Sequence, residues 1–99
     1  MIDATEKPYV GDVGTIIIID TGIDISSASV VKINVMDPRR ERWVWDAMVD
    51  PTNNKFIRYI VQEGDFRHSG FYFLQPYIEL PSWKGSGETC RIRINKEFQ

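Results

Sequence analysis

The sequence predicts an all-β fold, an antiparallel sandwich of six or seven strands, on three observations. Ile, Val and Thr number 13, 8 and 5 against 2 Leu and 3 Ala. Those are strand formers without the usual helix formers. Short runs alternate apolar and polar residues, and no window of ten or more residues holds a helical period. Turn signals recur every 10–15 residues, the spacing of a small sandwich or barrel. The 99 residues make one domain, with 1–13 as an N-terminal arm.

Each run has its own reason. Residues 15–20 hold four consecutive Ile between Gly14 and Gly22. A continuous apolar run of that length is buried on both faces, or on one face and against a partner. Residues 30–36 alternate, with Val31, Ile33 and Val35 opposite Lys32 and Asn34. Asp37-Pro38-Arg39-Arg40 is a turn, because Pro presets φ and Asp bonds its own backbone. Residues 42–49 form the next strand, with Trp43, Trp45, Ala47 and Val49 on one face and Val44, Asp46 and Met48 on the other. Residues 50–54 turn again, and 55–62 alternate with Ile57, Tyr59 and Val61 inward. Residues 71–80 are a long aromatic strand. Pro76 inside it lacks a ladder donor, so it belongs at an edge or a bulge. Residues 81–87 form a loop carrying Trp83 and Lys84, and 89–95 close the domain with Cys90, Ile92 and Ile94 inward.

Ser69-Gly70-Phe71-Tyr72-Phe73-Leu74 resembles the Asp-x-Gly-x-Tyr-x-Cys lead-in to the penultimate strand of immunoglobulin domains. The resemblance implies an immunoglobulin-like antiparallel β-sandwich. Tyr72 would be its corner tyrosine, Leu74 would stand for the Cys, and Trp43 or Trp45 would be the core tryptophan of the third strand.

Charge and composition narrow the function. The 12 basic and 14 acidic side chains give a net charge of −2, so no nucleic-acid partner is expected. Arg39, Arg40 and Arg42 beside Trp43 and Trp45 are offset by Asp37, Glu41 and Asp46, as at a charged hairpin tip. One Cys and one His argue against a disulfide and against a metal or other cofactor. His68 reads as a loop residue, and Cys90 as a small inward side chain. Asp12, Asp20 and Asp24 lack calcium-ligand spacing, and Ser26, Ser27 and Ser29 lack a nucleophile elbow. The longest apolar run, residues 16–19, is far short of a membrane span, and the first eight residues are not a secretory signal. A chain made in a cytoplasm, without a membrane partner, is expected.

One motif carries chemistry. Ile17-Ile18-Ile19-Asp20-Thr21-Gly22 resembles the active-site strand of retropepsin-like aspartic proteases, in which two chains each supply an Asp to activate water. Asp20 would be that residue. A retropepsin also needs a glycine-rich flap and an apolar-apolar-Gly segment near its end. The 50–54 turn has no Gly, and none follows Gly87. The stronger reading of Asp20-Thr21-Gly22 is a turn, and no enzyme is expected.

Other features point to contact. Trp83 and Lys84 lie in a Pro/Gly/Ser segment, where an aromatic suits an interface or a lid on the core. Ile2, Tyr9 and Val10 punctuate the polar arm, and Ile16 and Ile18 occupy the second face of the isoleucine strand. These seven residues are the expected protein interface. If the domain were instead a module binding host-surface glycans or proteins, Trp83, Tyr77 and Tyr72 would stack on sugar rings.

The order of elements resembles small virion proteins of tailed bacteriophages, related to the immunoglobulin-like N-terminal domain of phage baseplate upper proteins. The similarity runs over residues 10–95. It is carried by Gly11-Asp12-Val13-Gly14-Thr15, by Asp20 to Ser26 and by Val30 to Pro38. Trp45 with Ala47, the 60–65 connection, Leu74-Gln75-x-Tyr77-x-Glu79-Leu80 and Trp83-Lys84-Gly85 continue it. Arg39-Arg40 departs from the family's hairpin Asp-Gly, so that turn is not the tight primed type. The resemblance implies a structural subunit or adaptor of the tail, neck or baseplate. Such a subunit would be found in the virion and, during assembly, in the host cytoplasm. It would form homo-oligomers and bind other virion proteins.

Overall fold

The structure, a computed structural model, describes residues 2–4 by their backbone pairing and residues 7–99 in full. The strands in chain order are β1 (Ile2–Ala4), β2 (Ile16–Asp20), β3 (Val30–Met36), β4 (Arg42–Asp46), β5 (Met48–Asp50), β6 (Asn53–Ile60), β7 (Gly70–Leu80), β8 (Trp83–Ser86) and β9 (Cys90–Ile94). Two antiparallel sheets pack face to face. One runs β1-β2-β6-β5; the other runs β4-β3-β7, with β8 and β9 sharing the far edge of β7. This is the order of immunoglobulin sheets, A-B-E-D against C′-C-F-G, with β8 as an added hairpin strand.

Alternation sets the core. Ile17 and Ile19 of β2, Ile33 and Val35 of β3, Ile57 and Tyr59 of β6, and Tyr72, Leu74 and Ile78 of β7 are buried between the sheets. Trp45 of β4, Ile94 of β9, and Ile25, Val61 and Phe66 from connections complete it. The immunoglobulin-like reading of residues 69–74 is met in detail. The Tyr72 hydroxyl accepts the Arg67 and His68 backbone N–H groups at 3.1 and 3.2 Å, a tyrosine corner. Leu74, two residues on, is fully buried where the disulfide would lie.

Four details differ from the sequence reading. The described strands number nine, not six or seven. The expected 42–49 strand is two strands, because the chain changes sheets at Ala47 between β4 and β5. The inward alternation of Trp43, Trp45, Ala47 and Val49 continues through the crossing, so no sequence break marks it. Trp45 is the buried tryptophan but lies on β4, at the edge position C′ rather than on the central strand. Residues 83–86 form β8 rather than a loop, joined to β7 by the two-residue turn Pro81-Ser82.

Pro76 sits in the central strand, yet no ladder bond is lost. Its carbonyl accepts the Gly87 N–H at 2.9 Å, so its donor side faces the break between β8 and β9 rather than β3. Gly87 is required there, since a Cβ would come within 2.9 Å of the proline ring.

Candidate assembly surfaces

Ile16 and Ile18 point to the outside of the four-stranded sheet. Cross-strand pairing sets Ile16 beside Ile60, Ile18 beside Arg58, and Met48 on the other side of Arg58. Asp20 pairs with Phe56. Ile60 and Met48 are 42% and 51% exposed. The outward face therefore groups Ile16, Ile18, Met48, Phe56 and Ile60 around Arg58, with Asp20 at its end. Solvent-facing sheet positions are ordinarily polar. The sequence reading reaches Ile16 and Ile18 but misses Phe56, Ile60 and Met48. A signal for them exists, since 55–62 has apolar residues at both parities.

The second surface is the outside of the five-stranded sheet. Met36 pairs with Phe73, and Asn34 lies between Val44 and Gln75. Phe71, Phe73 and Val44 are well exposed, and the Arg91 guanidinium stands 4.5 Å from the Phe71 ring centroid. Met36, Val44 and Phe73 line a shallow hollow of about 540 Å3.

The other expected contact residues are scattered. Trp83 pairs with Leu80 on the inward side of its sheet and is 45% exposed. It half-lids a cleft lined also by Ile19, Ile23 and Ile78. Lys84 faces outward, 3.9 Å from Glu79, whose other oxygen accepts the Tyr77 hydroxyl at 2.9 Å. Tyr9 forms a parallel bridge with Asn95 at the opposite end of β2, and Val10 beside it is exposed. Ile2 pairs in register with Ile19, and its side chain lies outside the described residues. Trp83, Tyr77 and Tyr72 do not form one platform. Tyr72 is in the core, and Trp83 and Tyr77 belong to opposite sides of the sheet.

Asp20 ends β2 exposed, and its carboxylate accepts the Gly22 N–H at 2.9 Å in an Asx turn. Thr21 Oγ1 donates to the Lys55 carbonyl at 2.6 Å, tying the turn to β6. Cys90 is half-buried against the core, and burial pushes its thiol pKa up, away from nucleophilic reactivity. Among the described residues no three His, Cys, Asp or Glu side chains cluster as metal ligands.

Comparison with known proteins identifies the fold. No protein-family model matches the sequence, and no curated protein matches it. A crystal structure of CopC from Methylosinus trichosporium OB3b superposes with a TM-score of 0.64, covering 98% of this chain and 93% of that one at 13% identity. The likeness is one of fold. The chain is an immunoglobulin-like antiparallel β-sandwich.

Proposed function

We propose that this chain is a structural subunit or adaptor of a bacteriophage particle, in the tail, neck or baseplate, acting by protein–protein assembly. The carrying observation is the apolar outer face of the four-stranded sheet, where Ile16, Ile18, Phe56, Ile60 and Met48 surround one cation. A face of this kind gains free energy when a neighbour covers it. The sequence resemblance to small virion proteins supplies the setting. A small domain repeated in a ring or tube uses each weak contact many times over.

The test is mass spectrometry of purified particles from a host carrying a tagged copy. The wild-type chain is expected in the particle at a fixed ratio to other virion proteins. Ile18→Glu, whose side chain points outward beside Arg58, is expected to keep the wild-type circular-dichroism spectrum and to lower incorporation at least tenfold. Absence of the wild-type chain from particles overturns the proposal. So does glycan-array binding by the isolated domain without incorporation.

A further inference from the structure

The five-stranded sheet ends at β4, and no strand among the described residues pairs with its outer edge. The phase of the β3–β4 ladder is fixed at both ends. Asp37 N–H donates to the Glu41 carbonyl at 2.9 Å at the hairpin, and Ala47 N–H donates to the Val31 carbonyl at 3.1 Å at the far end. In an antiparallel ladder the bonded pairs alternate. Trp43 and Trp45 therefore bond to β3, and the backbone groups of Arg42, Val44 and Asp46 point away from it.

We propose that two copies of this chain pair through their β4 edges, antiparallel about a two-fold axis at Val44. The inference rests on the assembly reading above and gives it a partner, a second copy, and a register. Arg42-Trp43-Val44-Trp45-Asp46 is symmetric about Val44 except that its ends carry opposite charges. Turning a second copy end for end sets each Arg42 directly opposite Asp46 of the other. Val44 meets Val44 on the axis. All the backbone groups that point outward then find partners. Each such pair exchanges two hydrogen bonds, so the three pairs form about six.

Charge selects this register. A centre at Arg42 or Asp46 would set like charges face to face, and a centre at either tryptophan would leave both ion pairs unmade. Charged side chains commonly guard a free sheet edge by repulsion. Here the two signs are placed so that the edge attracts itself. Val44, 51% exposed, lies on the outward face with Met36 and Phe73. Pairing joins the two apolar strips into one across a continuous sheet. An edge contact of five residues buries little area, so the dimer is weak and depends on concentration.

Sedimentation velocity across micromolar to millimolar chain tests the pairing. The wild-type chain is expected to move from monomer to dimer. Arg42→Glu alone and Asp46→Lys alone are expected to stay monomeric. Their equimolar mixture is expected to dimerise. In the mixed pair the carboxylate introduced at position 42 of one variant faces the ammonium introduced at position 46 of the other. The native Asp46 and Arg42 meet at the opposite end. A second measurement does not depend on charge reversal, since Asp46→Lys also sets a second ammonium beside Lys32 within one chain. Val44→Cys in a Cys90→Ser background should cross-link to a covalent dimer on mild oxidation. Paired Cα atoms about 5.5 Å apart lie within disulfide reach. A wild-type chain that stays monomeric, a dimer indifferent to both reversals, or a Val44→Cys chain that does not cross-link overturns the inference. A chain that enters particles while monomeric overturns this pairing and leaves the assembly reading standing. A dimer absent from particles does the reverse.

Discussion

The indole of Trp45 lies flat on the phenol ring of Tyr59, with centroids 4.3 Å apart and planes 6° from parallel. Trp45 belongs to one sheet and Tyr59 to the other, so the stack fastens the layers beside the Ala47 crossing. Phe66 continues the contact to Tyr72, and Tyr72 meets Trp43 edge-on. Trp45→Ala should cost about 3–5 kcal/mol, the range for deleting a buried Trp. Trp83→Ala, which removes a half-exposed ring from the rim of a cleft, should cost under about 1 kcal/mol. Urea denaturation of the two variants checks the contrast.

Tyr72→Phe tests the corner. The ring stays, but the Arg67 and His68 N–H groups lose their acceptor. Leaving partly buried donors unpaired should cost about 1–3 kcal/mol. Hydrogen exchange should quicken at those two amides while exchange in β2 keeps its wild-type rank. Equal stability of variant and wild type would count against the corner.

The Tyr59 hydroxyl donates to Asp65 Oδ2 at 2.6 Å. Burial first, and then the Asp65 hydrogen bond and charge, push the Tyr59 pKa well above the ordinary phenol value. A raised pKa means that the unfolded chain ionises before the folded one. The stabilisation is complete below about pH 10 and declines as pH rises toward the folded value, by about 1.4 kcal/mol per pH unit for one group. Tyr59→Phe should make the decline above pH 10 shallower by about that slope. Tyr72, raised mainly by burial, should supply part of the slope that remains. Urea midpoints between about pH 8 and 11, bracketing the ordinary phenol value, measure both.

Arg40 closes the β3–β4 hairpin with φ of 67°. Its N–H donates to the Asp37 carbonyl at 3.0 Å, and the Asp37 carboxylate accepts the Arg39 and Glu41 N–H groups at 2.9 and 2.8 Å. The left-handed conformation costs a residue with a Cβ about 1–2 kcal/mol, which Gly avoids at some cost in unfolded-chain entropy. Arg40→Gly should therefore raise stability by up to about 1 kcal/mol, read as a higher melting temperature.

Period-2 alternation made most of the fold legible. It marks β3, β6 and β9, because each has one face in a dry core, while β2 shows as an unbroken apolar run and β7 as an aromatic one. The tyrosine corner was legible too, since its spacing to Gly70 and Leu74 is local. Ala47 was not, because a strand can leave one sheet and join the other while its inward residues stay inward. β8 was hidden by composition. Pro81, Ser82, Gly85 and Ser86 read as loop residues, and a neighbour, β7, holds the segment extended. The surfaces were half legible. Four consecutive Ile announce a second apolar face, but Phe56 and Ile60 join that face only once β6 pairs with β2. The symmetry of Arg42-Trp43-Val44-Trp45-Asp46 is visible in the chain, yet it says nothing until β4 is known to be an edge.

The long middle strand also sets the order in which the molecule can be made. β7 binds β3 across pairs as distant as Val30 with Glu79, while its turn to β8 is local. During synthesis β3 and β4 emerge well before β7, so the inner edge of β3 stays open until residue 79 has emerged. Distant pairing of this kind closes in milliseconds to seconds rather than microseconds. Throughout that interval the nascent chain exposes the unpaired backbone edge of β3, the period in which a crowded neighbour or a chaperone meets it.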